Sequence, residues 1–226
     1  SASKKGWDAG SIEWAVEEAY ANKLAMNTLK LPKSKTGDDL ESLTAVANNY
    51  VYRGVHDWTF EVLEKSFAPY AVGVRIGQKN TDPRVLLGKT ITHDEEDAGK
   101  LYCELAWYSD GTLWVNGEPK ASDFGSTFLP LQRLSAVTMR ADIQEGTLSF
   151  SVDGELVGVA FGPAGSGAVV EIQFADKINK DSGNVMRPAA SITNESQQLK
   201  IMNSGFHRSL VMPLAVIMHK AAASVY

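Results

Sequence analysis

Residues 93–97, His-Asp-Glu-Glu-Asp, are the first candidate for metal chemistry in this chain. Hard cations such as Ca²⁺ bind several carboxylates, but this run lacks the alternate spacing of a calcium-binding loop. A solvated acidic loop, which could also dock a basic partner, explains it better. His56, His93, His207 and His219 are dispersed, and no pair has the spacing of metal ligands on one element. We therefore predict no metal site.

Nucleophilic and phosphate-binding patterns are equally weak. The glycine-rich residues 162–167 precede a predicted strand, whereas a phosphate loop leads into the N-terminus of a helix. Ser166 lies in Gly-Ser-Gly and not in the Gly-x-Ser-x-Gly turn that exposes a serine nucleophile. Cys103, the only cysteine, lies in an apolar strand pattern with no base beside it, which favours a buried structural thiol. The sequence thus predicts no catalytic residue and no cofactor.

Carbohydrate chemistry is an alternative that stays open. Glycoside hydrolysis needs two carboxylates that face each other across a cleft. Glu104 and Glu171 lie on predicted strands, but no closely spaced group of acids accompanies them. Sugar binding alone needs an aromatic platform and a few polar groups, and Trp107 and Trp114 could supply the platform. Tryptophans on strands more often pack in a core.

The clearest structural element is the segment 146–161. Leu148, Phe150 and Val152 alternate with polar residues, which is the period-two pattern of a strand with one buried face. Asp153-Gly154 follows, a pair that readily adopts the positive φ angles of a two-residue hairpin turn. A second apolar run then ends at Phe161. The segment therefore predicts an antiparallel hairpin, and any function must lie in the loops of such a domain.

Further short segments show strand patterns divided by turn residues. They are residues 57–63, 71–76, 101–108, 112–115, 136–143, 168–174, 189–193 and 198–202. Such a series is typical of a sandwich or a barrel. We expect one inward-facing cluster formed by Trp58, Phe60, Val72, Val74, Leu148, Phe150, Val159 and Phe161.

The two ends of the chain have helical patterns. Ser11 is a good N-cap, and the apolar spacing after it predicts a helix from about Ile12 to Leu29. Residues 31–39, rich in Lys, Pro, Gly and Asp, predict an exposed linker. Residues 214–225 predict a second helix that is apolar nearly all round. This tail is expected to pack on the first helix or the sandwich, or to pair with a second copy or a neighbouring protein.

Several segments in chain order carry a set of motifs. They are Asp57-Trp58-Thr59-Phe60-Glu61-Val62-Leu63, Tyr70-Ala71-Val72-Gly73-Val74, Ala141-Asp142-Ile143, Gly146-Thr147-Leu148-Ser149-Phe150, Val152-Asp153-Gly154, Gly158-Val159-Ala160-Phe161, Arg187-Pro188-Ala189-Ala190-Ser191-Ile192 and Gln198-Leu199-Lys200-Ile201. Their order and spacing resemble the SPRY (B30.2) domain family, over about residues 43–205. Residues 174–185 look like an insertion, and residues 31–39 and the tail lie outside the family pattern.

The resemblance implies a concanavalin-like sandwich of two stacked antiparallel sheets. It also implies that the domain binds a protein segment through loops at one edge, and it implies no catalysis. Composition agrees with such a module, because the net charge of −5 and the scattered Lys and Arg residues disfavour nucleic acid and anionic membranes as partners. The single cysteine favours a reducing compartment, so we expect an intracellular, cytoplasmic protein. The first residues, Ser-Ala-Ser, suggest a piece of a longer protein.

We therefore predict a mainly β chain with a helix at each terminus. Its expected parts are the first helix and linker at 1–39, a SPRY-like sandwich at 40–205 and the apolar tail at 206–226. The predicted function is protein–protein interaction, with carbohydrate binding or hydrolysis as the alternative. Because Tyr, Trp and Arg are frequent interface anchors, three loop segments supply the candidate partner-binding residues: Tyr50, Tyr52, Arg53, Arg75, Gln78, Lys79, Trp107, Tyr108 and Asp110.

Overall fold

The structure is a computed structural model that describes residues 21–22, 25–30, 43–47, 49–64, 68–79, 101–178, 183–193, 196–202 and 205–207. Its strands are β1 (Ala21–Asn22), β2 (Ala25–Lys30), β3 (Leu43–Val46), β4 (Val55–Val62), β5 (Ala71–Gln78), β6 (Leu101–Tyr108), β7 (Leu113–Val115), β8 (Glu118–Ala121), β9 (Ala136–Asp142), β10 (Thr147–Val152), β11 (Glu155–Gly162), β12 (Val170–Glu171), β13 (Asn184–Ile192), β14 (Gln198–Ile201) and β15 (Gly205–His207). Short 3₁₀ turns lie at Ser126–Phe128 and Ala175–Lys177. In the described ranges no helix is long and apolar enough to cross a membrane.

Two sheets face each other. One has the strand order β1-β2-β14-β4-β9-β10-β11-β12, with β15 also paired to β4, and the other has the order β3-β13-β5-β6-β7-β8. The described pairings are antiparallel except for β11 and β12, which run parallel. The prediction of a mainly β, two-sheet sandwich is therefore confirmed, while the expectation of purely antiparallel sheets is wrong at this one edge.

The hairpin of β10 and β11 forms as its local sequence predicts. Asp153 and Gly154 have φ values of 51° and 88°, and Val152 pairs with Glu155 across the turn. The carboxylate of Asp153 also accepts a hydrogen bond from the backbone N–H of Ala136 at 2.7 Å. The turn is thereby tied to β9, the next strand of the sheet.

The core lies between the sheets. Phe150 on β10 and Trp107 on β6 meet with ring centroids 5.3 Å apart, so side chains from both sheets share one cluster. Seven of the eight residues expected in this cluster belong to it. The exception is Val159, which is only half-buried. The pairing of β10 with β11 shifts register between Leu148 and Ser149, which places Val159 opposite Ser149 and moves it off the apolar face.

The predicted N-terminal helix is wrong wherever the structure describes it. Ala21–Asn22 and Ala25–Lys30 are strands, and β2 pairs with β14 so that Leu29 lies opposite Leu199, with both side chains buried. Asn27 and Thr28 are weak helix formers, so pairing with a sheet outweighs the helical spacing of this stretch. The rest of the predicted helix, the linker at 31–39, the acidic run at 93–97 and the tail helix at 214–225 lie outside the described residues.

Two edge strands of the sandwich are short. β12 has only two residues, Val170–Glu171, although a strand over 168–174 was expected. β8 has four, Glu118–Ala121, and includes Pro119 and the exposed ion pair of Lys120 with Glu118. These are features that limit pairing at a sheet edge.

Candidate functional site

Strand β5 separates the predicted binding residues into two groups. At one end Ala71 pairs with Tyr108, and at the other end Gln78 pairs with Asn184. A strand advances about 3.3 Å per residue, so these ends of β5 lie roughly 23 Å apart. We call them the Tyr108 end and the Lys79 end. The predicted residues therefore do not form one continuous surface.

Three side chains meet at the Lys79 end. The ammonium nitrogen of Lys79 lies 5.2 Å from the ring centre of Tyr50, and the guanidinium carbon of Arg187 lies 5.0 Å from the same centre. Both distances are within the range of cation–π attraction. We call Tyr50, Lys79 and Arg187 the Tyr50 cluster. It brings together two predicted residues, Tyr50 and Lys79, that are distant in sequence.

Backbone hydrogen bonds hold the Tyr50 cluster in place. Arg187 donates to the carbonyl oxygens of Ala47 at 3.4 Å and of Lys79 at 3.2 Å. The backbone N–H of Lys79 donates to the carbonyl of Gly183 at 2.8 Å. Partial burial lowers the pKa of the Arg187 guanidinium, while the nearby Tyr50 acts in the opposite direction. The cluster therefore places two cations beside one tyrosine ring, with the guanidinium of Arg187 held by the backbone.

Tyr52 and Arg53 continue this surface along the chain. Tyr52 is half-buried and packs against the core, while Arg53 is exposed with its guanidinium carbon 5.5 Å from the centre of the Tyr52 ring. His56 Nε2 lies 2.8 Å from the carbonyl oxygen of Arg53, and its ring stacks on Trp58 with centroids 5.9 Å apart. Burial lowers the pKa of His56. The segment thus presents Arg53 to solvent from a base that is anchored on the core.

Two of the predicted partner-binding residues belong to the interior instead. Arg75 is 3% exposed and forms an ion pair with Glu104, its cross-strand neighbour on β6. Trp107 is 1% exposed, and its indole N–H donates to the carbonyl of Phe124 at 3.2 Å. Their strand positions turn both side chains away from solvent, so we leave them out of the proposed binding surface below. The burial of Trp107 also removes one of the two tryptophans on which a sugar-binding platform was based.

At the Tyr108 end, Tyr108 and Asp110 support the turn between β6 and β7. The carboxylate of Asp110 accepts hydrogen bonds from the backbone N–H of Thr112 at 2.9 Å and from its hydroxyl at 2.6 Å. The ring of Tyr108 lies 5.2 Å from that of Trp114, whose N–H donates to the Thr112 hydroxyl. Burial raises the pKa of Tyr108. These contacts stabilise the β6–β7 connection.

Arg187 is the residue of this site that the sequence did not single out. It lies in the Arg-Pro-Ala-Ala-Ser-Ile segment, which indicated only a strand. A cation inside an otherwise apolar strand was the available signal. Its neighbours could not be read from the sequence, because they depend on the pairing of β13 with β5, where Asn184 lies opposite Gln78.

The described residues contain no group of three or more His, Cys, Asp or Glu side chains that could hold a metal ion. Cys103 is buried, as expected of a structural thiol. Burial, with a smaller contribution from Glu104, raises the pKa of its thiol to about 12. A thiol with so high a pKa is a poor nucleophile near neutral pH.

Among known structures, two human SPRY domains are similar to this chain. The SPRY domain of human HERC1 gives a TM-score of 0.48 at 14% identity, over 78% of this chain and 88% of that chain. A second human SPRY domain gives a TM-score of 0.45 at 13% identity, over 78% of this chain and 91% of that one. No family model matches the sequence, and no curated protein gives a significant match. These likenesses are too low to assign the chain to the family.

Proposed function

We propose that this chain is a SPRY-like module that binds a protein or peptide segment and has no catalytic activity of its own. The order of the sequence motifs supports the family, and the two-sheet sandwich provides the rigid frame that binding loops need. The single cysteine supports an intracellular, cytoplasmic setting. A sandwich alone hosts many functions, so the proposal depends on the surface that the frame carries.

The observation that carries the proposal is the Tyr50 cluster with its neighbours at the Lys79 end. Tyr50 and Tyr52 are partly exposed, and Arg53, Gln78 and Lys79 are exposed. Tyr and Arg are the residue types that most often anchor protein interfaces. The bridge of Val51 with Met186 and the hydrogen bond from the Lys79 N–H to Gly183 hold the backbone beside these residues, so little ordering is needed when a partner binds. We assign the binding surface to these five residues and Arg187.

Selection of binders from a random-peptide display library, with the whole chain as bait, tests this function. Selected peptides should bind the double variant Arg53→Ala/Gln78→Ala at least tenfold more weakly, and a glycan array and a hydrolase screen should give no signal. Lys120→Ala/Gln132→Ala is the matched control, since it removes one cation and one glutamine from exposed positions away from the Lys79 end. The control should keep full affinity.

Two results would count against the proposal. One is that neither peptides nor protein fragments are enriched by the intact chain. The other is that the bound peptides lose no affinity for Arg53→Ala/Gln78→Ala, or lose as much for the control pair. Thermal unfolding of each variant must match that of the parent, which these exposed positions allow.

A further inference from the structure

Strand β11 has an open edge along most of its length. β12 pairs only with Phe161 and Gly162, so within the described ranges the preceding residues of β11, Glu155–Ala160, have no strand on that side. We call Glu155–Ala160 the open row. The N–H of Val169 donates to the carbonyl of Val159 at 3.1 Å. The row is therefore open from the hairpin turn as far as Val169.

Two exposed apolar side chains flank the open row. Leu156 is 69% exposed and Val169 is 53% exposed, and they are two of the four large apolar side chains that are exposed in the described part of the chain. Leu156 lies opposite Ser151, which follows the core residue Phe150, so Leu156 points to the outer face of the sheet. Val169 points the same way, because the next residue, Val170, packs against the core.

Other edge strands of the sandwich lack this combination. β1 and β12 have two residues each, and β8 contains Pro119 and two exposed charges. In β3, Ala45 and Val46 are fully buried, so that strand is covered. An exposed strand edge with unpaired backbone groups is a template for a further strand. The open row is therefore the place in the described structure that best suits an added strand.

The shape of the open row favours a flexible segment over a second copy of the chain. The pairing of β10 with β11 shifts register between Phe150 and Ser151, and such a bulge increases the local twist of the strand. A twisted edge disfavours edge-to-edge pairing with another folded sheet. A stable dimer also buries roughly 800 Å² on each partner, of which a single row supplies only a small part. An extended segment can follow the twist.

We infer that an extended segment of a partner protein joins the sheet beside the open row. Its backbone pairs with β11 on the side where Val170–Glu171 pairs farther along. One aliphatic side chain of the segment packs on the outer face between Leu156 and Val169, which sets the register of the added strand. This surface goes beyond the proposed function, because it is separate from the Tyr50 cluster and uses no charged side chain.

Peptides selected from a random display library test the inference when the bait is Arg53→Ala/Gln78→Ala, which lacks two contacts of the Lys79 end. They should share an aliphatic residue, and Leu156→Lys in the bait should weaken them roughly tenfold. In synthetic copies, N-methylation should abolish binding at alternate residues and be tolerated between them, as strand pairing requires.

Leu134→Lys is the matched control, since Leu134 is 60% exposed and lies outside the strands. It should leave affinity unchanged. Both leucines are exposed, so urea unfolding of each variant should match that of the bait.

The inference is overturned if the peptides tolerate Leu156→Lys as well as Leu134→Lys, or if the effect of N-methylation does not alternate. A dimer of the chain itself that Leu156→Lys dissolves would also overturn it, because the occupant would then be a second copy. If the parent chain enriches peptides and Arg53→Ala/Gln78→Ala enriches none, this inference fails while the proposed function stands. Peptides that bind both baits and respond only to Leu156→Lys support the open row and count against the surface at the Lys79 end.

Discussion

Phe150 joins the two sheets, and its truncation is the sharpest test of the core. Its side chain is fully buried, with ring centroids 5.3 Å from Trp107 and 6.2 Å from Phe124. Phe150→Ala removes buried apolar surface and leaves a cavity, which costs about 3–5 kcal/mol. Loss of two aromatic contacts argues against the lower end of that range. We therefore expect the free energy of unfolding to fall by about 4 kcal/mol.

Equilibrium unfolding in urea, followed by circular dichroism, measures this loss. In a thermal scan a domain of this size loses about 2–4 °C per kcal/mol, so the midpoint should fall by roughly 8–16 °C. Leu156→Ala is the matched control, since Leu156 lies on the partner strand of the same hairpin but is 69% exposed. The control should change stability by less than about 0.5 kcal/mol.

A third variant, Phe150→Leu, retains most of the buried volume and should cost about 1–2 kcal/mol, between the other two. The packing described for Phe150 would be refuted if Phe150→Ala and Leu156→Ala lowered the unfolding free energy equally. It would also be refuted if Phe150→Leu were as damaging as Phe150→Ala, because the cost would then not follow the cavity.

Three further predictions concern single positions. Glu104→Ala leaves the buried guanidinium of Arg75 without this carboxylate and should cost about 3 kcal/mol in urea unfolding, whereas Glu118→Ala, from an exposed pair, should cost less than about 1 kcal/mol. Gly154→Ala meets no neighbouring atom but must keep φ near +88°, so a loss of about 1–2 kcal/mol is expected from the same assay. Burial raises the pKa of Cys103 from 9.0 to about 12, so the native thiol should resist a thiol reagent that labels the unfolded chain at once. Because the unfolded thiol ionises first, this group should also lower stability as the pH rises from about 9 towards 12.

Local chemistry was sufficient to predict the hairpin and much of the core. Alternation at Leu148, Phe150 and Val152 and the turn at Asp153-Gly154 act over a few residues, so they can be read directly from the sequence. The prediction that Val159 is a core residue was wrong because its position depends on a shift of register against the partner strand, which the local sequence does not show. The helical spacing before Leu29 was misleading for the same reason. The strand that pairs with β2 is β14, which is far away in the sequence, so the local pattern does not indicate this pairing.

The candidate site was predicted only in part. Residue type pointed to Tyr50 and Lys79, but the distance between the two ends of β5 depends on strand order. Arg187 joins them only through the pairing of β13 with β5, two strands that are far apart in sequence. Arg75 is a different case, because its ion pair with Glu104 depends on the pairing of β5 with β6 and could not be read from residue type. Charge and residue type suggest an interface, whereas pairing decides which charges remain available.

The short edge strands have a consequence for how this sandwich can meet other proteins. An extended segment that joins a sheet needs a long row of backbone groups on the edge. β12 offers two residues, and in β8 Pro119 lacks an N–H while Glu118 and Lys120 carry exposed charges. Strand addition at these two edges is therefore unfavourable, for a partner and for a second copy alike. A crowded solution of such modules therefore gains no template for sheet-to-sheet growth at these two edges.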